Sequence, residues 1–283
     1  MKAIYSARLY DDSNFECGFR DFKHFIAFLR VSVEHSKRLF GKVVFYTTTH
    51  TWEKVKDYGL PFDEVDTSFD AIAPTVNDSH WALIKLWACQ KQTEPFVHID
   101  NDAMLRHSVW EGVKNTDCFF QSKEDGKHHH GYKEAILELK YQRLNKDLQI
   151  VRDIKEHGVR PDVFFAFNCG VIGFNRVPEG MLQSLWESAY EACRYFDDLD
   201  EAKPGMPRSY FSRALTTEQL NMWMHVKKWE LTVSYTLADE NWKGNYMHLA
   251  ADTKREEYWE GRIRDWLLEV DPELHNRLFS SSL

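Results

Sequence analysis

The stretch Phe96-Val-His-Ile-Asp-Asn-Asp-Ala-Met-Leu105 is an apolar run that leads into two carboxylates, Asp100 and Asp102. It reads as a strand, and side chains two apart on a strand point to the same face. Asp100 and Asp102 are therefore expected to reach toward one point at the strand's carboxyl end, where open α/β sheets bind ligands. Two hard oxygen donors there suit Mg²⁺ or Mn²⁺ and leave coordination positions for phosphate oxygens. Read alone, the same Asp-x-Asp also fits a turn with two solvated aspartates.

The segments before this run set the fold class. Lys2–Ala7 reads as a first strand, and Phe25, Ile26, Leu29 and Val33 recur at helical spacing in a helix from Phe22 to about Gly41. The run KVVFYT at 42–47 is a buried strand, a helix through Trp52–Tyr58 stops at Gly59, and Phe62–Val65 is a third short strand. Ser79 is placed to cap a helix carrying Trp81, Leu83, Ile84, Leu86 and Trp87. Strands alternating with helices predict an α/β fold with a mostly parallel, right-handed central sheet flanked by helices.

After the Asp-x-Asp the pattern predicts one long polar helix over Gly131–His157 and an apolar segment, Phe164–Asn175. A helix follows from Pro178 to about Tyr195, then an acidic loop, Asp197–Pro207. Short strands are expected near Leu231–Ser234 and Asn245–Leu249, with one amphipathic C-terminal helix carrying Trp259, Ile263, Trp266 and Leu267. No repeat or low-complexity linker interrupts residues 1–283, so one domain is the simpler expectation.

At 43% hydrophobic and 14% aromatic residues, the chain can build a sizeable core. Its net charge of −8 argues against a general nucleic-acid binder and leaves room for a locally positive pocket. The cysteines, Cys17, Cys89, Cys118, Cys169 and Cys193, are odd in number and lack Cys-x-x-Cys pairing. That suits buried thiols in a reducing compartment and not a disulfide or zinc framework. The N-terminal apolar run is too short for a signal peptide and no run approaches a membrane span, so a cytoplasmic protein is expected.

Two further segments bear on the carboxylate pair. In Tyr246-Met-His-Leu-Ala-Ala-Asp-Thr-Lys254, His248 is a candidate imidazole ligand and Lys254 a candidate phosphate-binding cation. A diphosphate needs both a divalent ion across its oxygens and a fixed positive charge. In Phe165-Ala-Phe-Asn-Cys-Gly-Val-Ile-Gly-Phe-Asn175, Asn168 and Gly170 interrupt a buried run, which suggests close approach to the backbone. His128-His129-His130 lies in a polar stretch and reads as loop, and nothing marks Cys169 as an activated nucleophile. Trp223, Trp229, Trp242 and Trp259 read mainly as core.

Taken in order, Asp100/Asp102, Asn168/Gly170, Glu218/Gln219 and His248/Lys254 resemble the motifs of nucleotide-sugar glycosyltransferases of A-type fold. The likeness is to the glycogenin- and galactinol-synthase-like group and spans roughly residues 1–256. It implies a single glycosyltransferase-A-like domain: residues 1–120 the nucleotide-binding half, 121–256 the half that completes the metal and acceptor sites, 257–283 a C-terminal helix. It also implies that Asp100, Asp102 and His248 ligate Mn²⁺ or Mg²⁺ with the donor's diphosphate, and that Lys254 binds this diphosphate as it leaves. Lys85 sits where the family carries a cation over the phosphates and donor sugar; Tyr5, Ser6 and Thr47 sit where relatives hold base and ribose. Asn168, Glu218 and Gln219 would face donor sugar and acceptor. The chain departs from the pattern at Ala251, where relatives carry Gly, and at Glu218, where they more often carry Asp.

The implied activity is transfer of a sugar from a nucleotide-diphosphate sugar, with uridine as the base, to a hydroxyl acceptor such as a glycan. Three other classes compete. A phosphohydrolase using Asp100 as nucleophile is disfavoured by Met104 where that motif carries Thr or Val, and by the motif's place well inside the chain. A nucleotidyltransferase is disfavoured by the lack of a Gly-rich loop between Lys2 and Gly18. A catalytically silent nucleotide- or sugar-binding protein on the same fold stays open.

Overall fold

The computed structural model describes residues 1–9, 19–105, 112–126, 130–141, 147–202, 209–236, 246–249 and 256–280. Strands β1 (Lys2–Ala7), β2 (Val43–Thr47), β3 (Glu64–Asp66) and β4 (Phe96–Ile99) run parallel, joined by helices α1 (Phe22–Phe40), α2 (Thr49–Val55) and α3 (Leu83–Gln90). A two-stranded offshoot begins at β5 (Ala103–Leu105), after which β6 (Cys118–Asp125) returns to the main sheet. Helices α4 (Lys133–Tyr141) and α5 (Gln149–Glu156) lead to the long strand β7 (Phe165–Phe174). Then come α6 (Met181–Ala202), α7 (Tyr210–Leu215), a π-helical turn at Thr216–Leu220, α8 (Asn221–Lys228) and β8 (Val233–Tyr235). The described chain closes with β9 (Tyr246–His248), α9 (Glu257–Val270) and α10 (Pro272–Phe279).

The seven-stranded sheet has the order β3-β2-β1-β4-β7-β6-β8. Only β7 runs against its neighbours, being antiparallel to both β4 and β6, while β8 lies parallel to β6. The expected α/β fold with a mostly parallel, helix-flanked sheet is therefore what the chain adopts. Alternation along β1 divides the core: Ala3, Tyr5 and Ala7 pack with α1 and α9, whereas Ile4 packs with α3 and α6 on the other face. Gly173 on β7 stands opposite Phe119, whose ring passes within 1.9 Å of where a β-carbon would sit, so this position admits glycine alone. No helix among the described residues is long and apolar enough to cross a membrane.

Several boundaries differ from the sequence pattern, each for a local reason. Ser79 does not cap α3. Its N–H is held by Asn77 Oδ1 at 2.9 Å in a turn, and α3 begins at Leu83 with no side-chain cap. The long polar helix over 131–157 is two helices, because Leu148 is buried in extended conformation at the start of α5. The C-terminal helix is also two. Asp271 accepts from Leu274 N–H, and Pro272 opens α10, where its missing N–H is harmless. The acidic stretch from Asp197 is helical as far as Ala202, while residues 203–208 of the expected loop lie outside the described residues.

That last extension follows from charge pairing. Asp200 meets the buried guanidinium of Arg213 at 2.9 Å, and Asp197 accepts from His80 Nε2 at 2.9 Å and from the Asn77 N–H at 3.1 Å. Burial alone would depress the His80 pKa, but Cys193 and Asp197 outweigh it and hold the imidazolium up to about 10. A folded-state pKa raised above the unfolded value makes this contribution full below pH ~6.5 and lost as pH climbs toward 10. Asp197→Asn should therefore cost about 1.5–3 kcal/mol in urea denaturation at pH 6. The deficit should shrink steadily through alkaline pH; a deficit independent of pH would contradict the ion pair.

Candidate active site

The two aspartates meet through a turn and not through strand alternation. Strand β4 ends at Ile99, the Asp100 N–H is held by Gly170 O at 3.0 Å, and Ala103 N–H returns to Asp100 O at 2.9 Å. Asn101 donates to Ser6 O at 2.8 Å and so clips the turn to the end of β1. The chain then leaves as β5, which pairs antiparallel with β9 so that Ala103 faces His248. Leu249 N–H closes this pairing on Asp102 O at 2.8 Å. His248 Nε2 lies 3.3 Å from Asp102 Oδ1, and ligand atoms of Asp100, Asp102 and His248 all fall within 4.8 Å of one another.

This donor set fits a hard divalent cation. Two carboxylates and one imidazole leave positions open for substrate oxygens, and the imidazole favours Mn²⁺ over Mg²⁺. Burial pushes the Asp100 carboxyl up, against the pull of Lys85, and the Asp102 charge pushes it further. A bound cation would relieve that crowding of negative charge.

Behind the turn sits a buried lysine. Lys85 on α3 places Nζ 2.7 Å from Asp100 Oδ1, 2.5 Å from Glu218 Oε1 and 3.2 Å from Cys169 O. Its three N–H donors are thus met by three acceptors, and the ammonium is fixed. Burial disfavours that charge, but Asp100 and Glu218 outweigh it and hold the Lys85 pKa above its ordinary value. The Glu218 carboxyl is pushed up to about 7, chiefly by burial, while Lys85 pulls it down and Asp100 opposes. Glu218 and Gln219 belong to the π-helical turn, a widening that turns both side chains inward and that recurs at functional sites.

The lysine's third acceptor is available because β7 is irregular. Phe120 pairs with Ile172 and Ser122 with Asn168, so Cys169, Gly170 and Val171 stand opposite Gln121 alone. This bulge turns the Cys169 carbonyl to Lys85, while the Gly170 carbonyl carries the β4–β7 pairing one residue further, to the Asp100 N–H. Asn168 beside it donates to Glu124 Oε1 at 3.0 Å. The Tyr132 hydroxyl bridges the other oxygen of Glu124 to Gln219, 2.5 Å from the latter.

Most of the expected site residues therefore lie in one connected network: Lys85, Asp100 and Glu218 directly, Asp102 and His248 through the turn, Asn168 and Gln219 through Glu124 and Tyr132. Ser6 joins it by a 2.8 Å hydrogen bond to the ring of His98, which burial and the nearby Lys85 keep neutral. Tyr5 and Thr47 do not join. The Tyr5 side chain points to the opposite sheet face and hydrogen-bonds Ser32 and Ser36, each at 2.7 Å, and Thr47 Oγ1 is buried on Ala7 O at 2.8 Å. Both side chains are thus engaged within the scaffold of the sheet.

Lys254, His128, His129 and Trp242 lie outside the described residues, as does the side chain of His130. Cys169 is buried and its thiol is pushed far up by burial, so it is inert. Trp223 belongs to the core on the α3 side of the sheet, with Trp229 packed against it, and Trp259 packs against the core on the α1 side. Glu124, Tyr132 and His98 were not legible as site residues. The only signal for His98 was a polar residue inside an apolar strand; Glu124 and Tyr132 stand in a stretch dense with charges.

The chain belongs to a family of unknown function, DUF6734, whose pattern matches residues 1–281. No curated protein matches it. Solved structures that it resembles include galactosyltransferase LgtC in complex with donor and acceptor sugar analogues, at 11% identity over 99% of this chain and 100% of that one, with a TM-score of 0.42. Another is the inositol-1-phosphate CTP transferase from T. maritima, at 9% identity over 95% and 96% of the two chains, with a TM-score of 0.41. A third is mouse xyloside xylosyltransferase 1 in its apo form, at 11% identity over 83% and 84%, with a TM-score of 0.37.

The buried lysine yields a test of the network. Lys85→Met strands Asp100 and Glu218 without their cation and should cost about 3–5 kcal/mol in denaturant unfolding. Adding Glu218→Gln should recover part of that loss, because one of the stranded charges is then gone. Strict additivity of the two substitutions would contradict the pairing.

Proposed function

We propose that this protein is a metal-dependent glycosyltransferase that moves a sugar from a UDP-sugar to a hydroxyl of a glycan acceptor. The observation that carries the reading is the meeting of Asp100 and Asp102 with His248, from distant parts of the chain, within 4.8 Å. These are the residues whose order resembles the A-type glycosyltransferases, and the Asn168, Glu218 and Gln219 of the same pattern stand in the adjoining network.

In this reading Asp100, Asp102 and His248 hold Mn²⁺ or Mg²⁺. When bound, the ion supplies positive charge to the diphosphate of the donor, where negative charge grows as the sugar departs. Lys254 is assigned to the same diphosphate. Ser6, oriented by His98 at the end of β1, is assigned to the nucleotide. Lys85 acts through its partners: it holds the Asp100 carboxylate toward the metal position and the Glu218 carboxylate toward the sugar. Asn168, Glu218 and Gln219 orient donor sugar and acceptor, and holding two reactants in register is itself a large part of such catalysis.

The test is thermal melting with uridine, guanosine and cytidine diphosphates, each with and without Mn²⁺. A ligand at a hundredfold excess over its dissociation constant adds about 2.7 kcal/mol, a shift of several degrees. UDP with Mn²⁺ together should raise the melting temperature by that amount, and either alone by far less. Asp102→Ala should keep the fold and lose the joint shift. No shift with any diphosphate in the presence of Mn²⁺ would overturn the reading.

A further inference from the structure

The chain of contacts from Gly170 to Gln219 can be read by counting protons. The Gly170 N–H can only donate, and it donates to Asn168 Oδ1 at 3.1 Å. The other end of the Asn168 amide is therefore its NH₂, which donates to Glu124 Oε1 at 3.0 Å. The second oxygen of Glu124 meets the Tyr132 hydroxyl, which also lies 2.5 Å from the Oε1 position of Gln219. A phenol has one proton for these two neighbours. The carboxylate is the stronger acceptor and takes it.

With that proton committed, a Gln219 carbonyl oxygen facing the phenolic oxygen would leave two acceptors in contact without a proton between them. An amide turned to present its NH₂ to Tyr132, the reverse of the orientation in which Gln219 Oε1 lies inward, removes that conflict and puts nitrogen inside and oxygen outside. Amide oxygen and nitrogen are assigned by such networks. The outer end of the amide has no hydrogen-bond partner among the described residues, and Gln219 adjoins Glu218, which binds Lys85 beside Asp100. The Tyr132 segment is also seated closely on α7, the helix that enters the π-helical turn. A β-carbon on Gly131 would come 3.0 Å from Leu215 Cδ1 and 3.2 Å from Phe211 Cε1.

We propose that Tyr132 is a positioning residue that fixes the polarity of the Gln219 amide, so that its carbonyl oxygen and not its NH₂ faces the ligand. The group that binds there is consequently a hydrogen-bond donor. On the reading above, which this part of the inference rests on, that donor is a hydroxyl of the transferred sugar or of the acceptor.

The experiment is hydrogen exchange of the Gln219 side-chain amide in ¹⁵N-labelled protein, with the signal assigned by its loss in Gln219→Met. Protons turned inward onto Tyr132 should exchange slowly in the wild type, and at least roughly tenfold faster in Tyr132→Phe. Fast exchange in the wild type would mean that the NH₂ faces the cleft and would overturn the proposal, even were Tyr132→Phe not to fold. With a UDP-sugar donor, Tyr132→Phe should lower kcat roughly tenfold, the worth of one oriented hydrogen bond, with KM for the donor within about twofold. A change in KM alone would overturn the part that concerns the ligand. Were no nucleotide diphosphate to bind, the glycosyltransferase reading would fail, and the exchange rates would still decide the role of Tyr132.

Discussion

Taking a lysine ammonium out of water costs several kilocalories per mole even after the protein relaxes around it. Lys85 is buried, and the half of the molecule that carries the candidate site is arranged around meeting that demand. Its acceptors come from three separate elements: Asp100 from the end of β4, the Cys169 carbonyl from the bulge in β7, and Glu218 from the π-helical turn. Because the ammonium must be satisfied on all sides, the three elements cannot move independently. Asp100 is thereby fixed at the start of the turn that also presents Asp102, and Glu218 is fixed beside Gln219.

The reversed strand is the second constraint. Over three successive residues β7 gives the Asn168 side-chain amide to Glu124, the Cys169 carbonyl to Lys85 and the Gly170 carbonyl to the Asp100 N–H. A regular strand would spend the Cys169 carbonyl on its neighbour, and the bulge opposite Gln121 is what releases it to Lys85, while the Gly170 carbonyl continues the pairing with β4. On the far side, the pairing of β5 with β9 closes the arrangement by bringing His248 to the two aspartates. Sheet irregularities and one π-helical turn thus place the polar groups, while the parallel strands supply a rigid floor.

Much of this floor was legible in the sequence, since KVVFYT and the helical spacing of Phe25, Ile26, Leu29 and Val33 each state their period locally. Asp100, Asp102 and His248 were also legible as candidates, but the reason for their meeting was not. It rests on a turn and on a strand pairing between distant segments, neither of which has a local signature. Asp197 reads as loop by composition because its acidity is neutralised only in three dimensions, by His80. Tyr5 and Thr47 lie on the first two strands, and the hydrogen bonds that engage their side chains with Ser32, Ser36 and the Ala7 carbonyl have no local signature. Glu124 and Tyr132 escaped notice because a polar residue in a polar stretch carries no signal until its partners are known.

The central claim is that Asp100, Asp102 and His248 form a site for a divalent ion. Electron paramagnetic resonance of Mn²⁺ measures this directly, because the sharp signal of the free ion is lost on binding. Titrating wild type in the presence of UDP should remove one equivalent of free Mn²⁺ per chain, and His248→Ala and Asp102→Ala should each leave most of the signal in place. A free-ion signal undiminished by wild-type protein, or equally diminished by all three proteins, would contradict the account.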